Sequence, residues 1–209
     1  MMAATSTFAQ KKHKSVISIG PTASVGHSWI RSIPVNGDRD FKLSPSFGFG
    51  LVYSTHEHWG FGSGLAVSHE GYKADYRMSN GDYEKVSVNP VYLRMPVSVI
   101  YFFGNYGDRV RPKIYAGPSF AVKVDEKRWY SMDDPRTVEG AMANTEHFTR
   151  WDIGLQAGAG ANIRLSKYTW LNVDAGYYHG LVDVLKNDAN GDYNANRNLR
   201  LNMGLMWGL

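Results

Sequence analysis

The stretch "VYLRMPVSVIYFF", residues 91–103, decides the fold class because it is apolar enough for a membrane yet unsuited to a spanning helix. A transmembrane helix needs about 20 consecutive apolar residues, whereas this run is shorter and contains Arg94 and Pro96. Its β-branched and aromatic residues favour a strand. At a period of two, one face is apolar and the other mixed: Leu93, Met95, Val97, Val99 and Tyr101 against Tyr92, Arg94, Pro96, Ser98 and Ile100.

The same alternation recurs seven more times along the chain, each time with apolar residues on one face and small or polar residues on the other. No amphipathic helix of comparable strength accompanies it. The pattern predicts an all-β protein of eight strands, the other seven lying near residues 15–26, 43–54, 59–72, 111–124, 151–165, 171–184 and 198–209.

The connections between these strands alternate strictly in length. The short ones centre on "STHEH", "GNYGD" and "SKY", and the long, polar ones span 27–42, 73–87, 125–146 and 185–197. Short periplasmic turns and longer extracellular loops are typical of outer-membrane barrels. In hydrocarbon only helices and closed barrels pair every backbone group. We therefore predict an eight-stranded antiparallel up-and-down transmembrane β-barrel in the bacterial outer membrane.

Composition is compatible with this prediction. The 209 residues include 22 glycines and no cysteine, so one large domain without disulfides is expected. A mean hydropathy of −0.36 does not argue against a membrane barrel, because a lipid face is averaged with a polar lumen. Residues 1–10 resemble a signal-peptide remnant or a disordered tail, and residues 14–209 are predicted to form the barrel domain.

Four of the segments together resemble a known family: "VYLRMPVSVIYFF", "RPKIYAGPSFAVKV", "WDIGLQAGAGANI" and "LNVDAGYYHGLVDV". They look like the PorT-like small outer-membrane β-barrel family of the Bacteroidota. Arg94 stands where that family usually has an acidic residue, and the chain ends in Leu209 where an aromatic residue is usual. The resemblance implies a small outer-membrane barrel and no single activity.

The lumen of such a barrel is expected to be closed. Eight strands enclose a space just wide enough for side chains, and charged side chains there need partners. We predict a polar network that plugs the lumen and blocks conductance, built from Arg94, Lys113, Lys123, Asp152, Gln156, Asp174 and Arg200.

Aromatic residues near the predicted strand ends are expected to form the two interfacial girdles of a membrane barrel. Ordinary core packing is the alternative role for several of them. The predicted interfacial set is Tyr53, Trp59, Tyr101, Trp151, Trp170 and Trp207.

Motifs for catalysis, metals or cofactors are weak. His179 is followed by Gly180-Leu181, where a lipid-A deacylase would present a serine two positions on. "THEHWG" lacks helical metal-ligand spacing, and "NDANGDYNAN" departs from a calcium loop, with Leu199 in place of the closing glutamate. We predict no catalytic, metal or cofactor site.

The net charge of +4 comes from scattered basic residues, which argues against a nucleic-acid groove. Outer-membrane lipid and lipopolysaccharide are the expected partners, together with a larger outer-membrane protein complex. The predicted role is structural or accessory, through the extracellular loops and without catalysis. Two alternatives stay open: a soluble lipocalin-like ligand-binding barrel and a lipid-A-modifying enzyme. The basic residues in or beside the long loops are Lys73, Arg77, Lys85, Lys127, Arg128, Arg136, Lys186 and Arg197.

Overall fold

The computed structural model describes residues 16–31, 39–55, 57–77, 83–105, 108–132, 140–141, 148–185 and 193–209. The predicted tail at residues 1–10 lies outside these ranges. Among the described residues, no helix is both long and apolar enough to cross a bilayer.

The described residues form eleven strands in one sheet. Glycine, β-branched and aromatic residues alternate along most of them, as expected for strands with one apolar face. The strands are β1 (Val16–Ile30), β2 (Arg39–Asp40), β3 (Ser46–Ser54), β4 (Trp59–His69), β5 (Tyr72–Arg77), β6 (Tyr83–Phe102), β7 (Val110–Met132), β8 (Gly140–Ala141), β9 (Trp151–Arg164), β10 (Thr169–Gly180) and β11 (Asn196–Gly208).

The sheet closes on itself. Neighbouring strands run in the order β6-β4-β3-β1-β11-β10-β9-β7, and antiparallel pairing of β6 with β7 completes the ring. β4 and β5 both pair with β6, one after the other along its length, and together count as one of the eight barrel strands. The short strands β2 and β8 have two residues each and lie in the loops. The predicted closed, eight-stranded antiparallel barrel is confirmed.

The strands keep the predicted phase. Phe47, Phe49 and Leu201 are 64%, 71% and 61% exposed, although they lie in the middle of strands. A soluble ligand-binding barrel would direct such side chains into its cavity. The apolar faces point outward here, so the lipocalin-like alternative is wrong.

The two ends of the barrel differ. The start of β1, the end of β11 and the short connections β3–β4, β6–β7 and β9–β10 lie at one end, which we call the turn end. The longer connections lie at the other, the loop end. Two of the predicted long loops contain strand: residues 73–87 fall mostly in the β5–β6 hairpin, and β7 continues into the predicted loop 125–146 as far as Met132. Sequence reasoning assigned these segments to loops because charged residues are frequent in them, although residues 72–77 do alternate between apolar and charged side chains.

Candidate functional site: the lumen of the barrel

The most densely bonded part of the lumen surrounds Arg94, an inward residue of β6 that is 2% exposed. Its Nε and Nη2 donate to the two carboxylate oxygens of Glu70, both at 2.8 Å. Nη2 also donates to Asp152 Oδ2 at 2.7 Å, and Nη1 donates to Ser119 Oγ at 3.2 Å. The guanidinium therefore lies between two carboxylates, the arrangement in which charge-assisted bonds are strongest.

Asp152 accepts hydrogen bonds from two further side chains. Tyr178 Oη donates to Asp152 Oδ1 at 2.7 Å, and Asn196 Nδ2 donates to Asp152 Oδ2 at 3.1 Å. The Tyr178 ring also lies 4.1 Å from the Arg94 guanidinium carbon. Both carboxylate oxygens of Asp152 thus have donors, which is what makes a buried charge tolerable. We call this group the Arg94 layer: Glu70, Arg94, Ser119, Asp152, Tyr178 and Asn196.

Glu70 is the member that sequence reasoning missed. It lies between β4 and β5, inward like Ser68, whose Oγ donates to Glu70 Oε1 at 2.8 Å. Gly71 follows with a φ of 106°, and a Cβ there would lie 2.1 Å from the Val88 carbonyl oxygen. The glycine permits the kink that separates β4 from β5. Continuing the period-two alternation from Ser68 would have identified Glu70.

A second polar group lies nearer the turn end, around Asp174 of β10. Lys113 Nζ is 3.0 Å from Asp174 Oδ2. Tyr115 Oη and Asn202 Nδ2 donate to Asp174 Oδ1 at 2.9 and 2.6 Å. We call these four residues the Asp174 layer: Lys113, Tyr115, Asp174 and Asn202.

The other predicted lumen residues fall outside both layers. Lys123 Nζ, towards the loop end, donates to Glu126 Oε2 and to the Phe148 carbonyl oxygen at 2.5 and 2.8 Å. Gln156 Nε2 donates to Ser98 Oγ at 2.8 Å. Arg200 lines a lumenal cavity of about 190 Å³ beside the Asp174 layer, and its Nη2 has no hydrogen-bond partner among the described residues.

The chain's sequence matches the family described as "Outer membrane protein beta-barrel domain" over residues 8–186. The match spans most of the chain. This protein belongs to the outer membrane protein beta-barrel domain family. Its location is the bacterial outer membrane, so the turn end is periplasmic and the loop end is extracellular.

Solved structures show the same fold at low identity. OprG of Pseudomonas aeruginosa is 14% identical, with a TM-score of 0.57, and the alignment covers 93% of this chain and 95% of OprG. A major outer membrane protein of Thermus thermophilus is 13% identical, with a TM-score of 0.54 and coverage of 94% and 100%. AlkL, studied in lipid bilayers, is 15% identical, with a TM-score of 0.51 and coverage of 100% and 97%. No curated protein sequence matches the chain.

The predicted interfacial aromatics lie at both ends of this outer-membrane barrel. Tyr53, Trp59, Tyr101 and Trp207 are near the periplasmic end, where the Trp59 and Tyr101 rings meet edge to face at 5.0 Å. Trp151 begins β9 at the extracellular end and is 62% exposed.

Trp170 differs from the prediction. In β10 it shares the inward phase of Asn172 and Asp174, and it pairs in register with Met206, which is 2% exposed. It therefore lies at the periplasmic mouth of the lumen and not on the lipid-facing girdle. The side-chain period of two decides this, whereas the sequence-based assignment used only distance from the strand end.

In the part of the chain that the structure describes, histidines and carboxylates do not cluster as a metal or catalytic centre would require. Within the described ranges, no group of three or more histidine, aspartate or glutamate side chains could hold a metal ion. His58 Nδ1 lies 3.0 Å from the Phe102 carbonyl oxygen in a periplasmic turn. His179 Nδ1 lies 3.3 Å from the Tyr177 hydroxyl on the outer surface. Neither histidine contacts a serine or carboxylate side chain among the described residues, so no hydrolytic pairing is present there.

Proposed function

We propose that this protein is a non-enzymatic, structural or accessory component of the outer membrane, with a lumen closed by polar side chains and a functional surface at its extracellular end. The resemblance to the PorT-like barrels of the Bacteroidota is consistent with such a role. Outer-membrane lipid, lipopolysaccharide and a larger outer-membrane protein complex are its proposed partners.

The Arg94 layer is the observation that carries the proposal. Its charged members Arg94, Glu70 and Asp152 are each no more than 2% exposed, as is Tyr178. Water-filled pores leave such side chains hydrated, but here they bond to one another within the lumen. A continuous water path for ions would have to break these bonds, and leaving either carboxylate buried without Arg94 is costly.

Planar bilayer recording tests closure. The purified wild-type protein is expected to show no sustained conductance at neutral pH. The double variant Arg94→Gly, Tyr178→Ala removes the guanidinium and the ring that covers it, and it is expected to produce small, frequent current steps. Heat-modifiable mobility on a gel confirms that each sample has folded before it is recorded.

Large, reproducible single-channel steps from the wild type would contradict a closed lumen and would indicate a transport role. Steps of equal size from wild type and double variant would show that ions pass elsewhere, for example through an oligomer.

The alternative of a lipid-A-modifying enzyme requires its own measurement. Expression of the protein is expected to leave the mass spectrum of outer-membrane lipid A unchanged. A new lipid A species that depends on His179 would establish catalysis and overturn the non-enzymatic role.

Capture of partner proteins tests whether the extracellular surface binds other outer-membrane proteins. Crosslinking in native membranes, followed by purification of the barrel, is expected to recover outer-membrane proteins in a defined ratio if the chain belongs to a complex. A barrel recovered alone, with lipid only, would restrict its partners to the membrane itself.

A further inference from the structure

Two rows of side chains cross the outer surface of β10, β11 and β1 near the extracellular end. In the upper row, Arg197 pairs in register with His179 on one side and with Trp29 on the other. In the lower row, Leu199 pairs with Tyr177 and His27. Directly opposed residues of antiparallel strands have Cβ atoms about 5 Å apart, so each row is a contiguous outward patch. We call the two rows together the rim patch: His27, Trp29, Tyr177, His179, Arg197 and Leu199.

The height of the rim patch can be derived from β11. Ten residues separate Arg197 from Trp207, the interfacial aromatic at the periplasmic end. At about 3.4 Å per residue and a strand tilt of about 40°, Arg197 lies about 26 Å above Trp207. The apolar band of an outer-membrane barrel is about 25 Å tall. Arg197 is therefore at the headgroups of the outer leaflet.

The residues between these two levels support the same boundary. Along the outward phase of β11, the side chains from Leu199 to Leu205 are all apolar, with Leu201 and Met203 61% and 55% exposed. Arg197 is the first charged residue above them on that face. Along this face of β11, the change from apolar to basic side chains occurs between Leu199 and Arg197, which are successive outward residues.

Arg197 has no protein counterion in the part of the chain that the structure describes. No acidic side chain there forms an ion pair with it, and its Nε is shielded from solvent without a hydrogen-bond partner among those residues. The Trp29 and Tyr177 rings, on the strands either side of β11, approach to 6.2 Å between centroids. Asp183, an acidic residue that follows β10, uses its Oδ1 to accept the Leu185 N–H.

The flanking imidazoles are positioned by the protein. His27 Nδ1 lies 3.1 Å from the Lys42 backbone nitrogen and 3.3 Å from the Lys42 carbonyl oxygen, so the Lys42 backbone holds the ring through that nitrogen. The His27 ring stacks between Trp29 and Phe41, with centroids 5.1 and 4.8 Å away. His179 lies beside the Tyr177 ring on the far side of β11.

We propose that the rim patch binds a phosphorylated lipid headgroup of the outer leaflet. Arg197 would hold the phosphate through its planar fork of donors, for which guanidinium and phosphate geometries match. His27 and His179 would donate from either side, while Trp29 and Tyr177 cover the sugar or acyl attachment as interfacial aromatics do. The inference deepens the lipid-partner part of the proposed function and is independent of lumen closure.

Native mass spectrometry from detergent micelles tests this site. Diphosphoryl lipid A, monophosphoryl lipid A and inorganic phosphate are titrated separately against the full chain. The wild type is expected to retain one diphosphoryl lipid A, with weaker retention of the monophosphoryl form and none of inorganic phosphate. Arg197→Gln is expected to lower the affinity for diphosphoryl lipid A at least roughly tenfold, because a charge-assisted bidentate contact is lost, and Arg197→Lys by less.

Arg150→Gln provides the matched control, because Arg150 is an exposed arginine before β9 at the same end of the barrel but outside the rim patch. It removes the same charge and is expected to leave retention unchanged. Heat-modifiability confirms folding of every variant.

Equal retention of lipid A by wild type and Arg197→Gln would overturn the rim patch while leaving lipid binding by the loops in place. Retention by neither protein would overturn both the site and the lipid partner, whatever the conductance result. Retention of free phosphate at the same affinity as lipid A would replace the lipid with a soluble anion and also overturn the proposal.

Discussion

The Arg94 layer and the Asp174 layer lie in the same lumen, and in each a basic side chain from one strand meets an aspartate from another. They differ in how completely the surrounding space is filled. In the Arg94 layer the charged residues are 2% exposed or less, and Tyr178 covers the guanidinium. The Asp174 layer borders a cavity of about 190 Å³, and Lys113 and Asp174 are 6% and 9% exposed.

The difference arises from the opposite wall. Facing the Asp174 layer, β3 and β4 contribute Gly50, Gly62 and Gly64 to the cavity lining, and glycine has no side chain to fill space. The Arg94 layer is closed instead by Tyr178 and Asn196 from β10 and β11. The two ion pairs are therefore expected to contribute differently to the stability of the barrel, because water can reach the Asp174 pair from the cavity but cannot reach the Arg94 pairs.

The largest expected effect comes from removing the centre of the Arg94 layer. Arg94→Leu leaves Glu70 and Asp152 buried without a cation, and breaking such a buried pair costs about 3–5 kcal/mol. Urea unfolding in lipid vesicles, followed by tryptophan fluorescence, measures the loss. Arg150→Leu, at an exposed site, is the control and is expected to change stability by less than about 0.5 kcal/mol. A loss at Arg94 no greater than the control's would show that the layer does not stabilise the barrel.

A smaller effect is expected in the Asp174 layer. Asp174→Asn leaves Lys113 without its counterion, but the adjacent cavity allows water to hydrate the ammonium, so the expected loss is about 1–3 kcal/mol. The same unfolding assay applies. A loss equal to that of Arg94→Leu would contradict the contrast between a filled and a hydrated layer.

The smallest effects are expected from two glycine-to-alanine substitutions, which test how much free space each layer has for an added Cβ. At Gly154, next to the Arg94 layer, an added Cβ would lie 2.3 Å from the His179 carbonyl oxygen and 2.6 Å from Tyr178 Oη. At Gly62, beside the cavity, the nearest atom is Ile100 Cδ1 at 3.0 Å, the end of a flexible side chain. Gly154→Ala is expected to cost about 1 kcal/mol or more, and Gly62→Ala less than about 0.5 kcal/mol. Equal losses of unfolding free energy for the two variants would mean that the two layers are packed equally densely.

Much of the barrel could be predicted from local sequence. The phase of residues 91–103 placed Arg94 on the inward face and Met95 and Val99 on the outward face, where they are 44% and 45% exposed. A period of two is a local property of the strand and needs no knowledge of neighbours. The outer-membrane location followed from the same pattern and is confirmed by the family.

The sequence interpretation was less accurate where the chain departs from simple alternation. Glu70 was missed because it lies beside the kink at Gly71, and the β5–β6 hairpin was predicted as a loop because charged residues are frequent in it, although Tyr72, Ala74 and Tyr76 alternate with Lys73, Asp75 and Arg77. Trp170 was placed in a girdle from its position at a strand end, although its phase directs it inward.

The sequence by itself determined which residues face lipid and which face the lumen, since that choice depends only on alternation along each strand. The tertiary structure decided which lumen residues meet. Arg94 lies 24 positions from Glu70 and 58 from Asp152 along the chain, yet it bonds to both. Such contacts depend on the strand register and on the closure of β6 against β7, and register is a property of paired strands that no single strand encodes. The rim patch arises in the same way, because His27, His179 and Arg197 become neighbours only when β1, β10 and β11 pair.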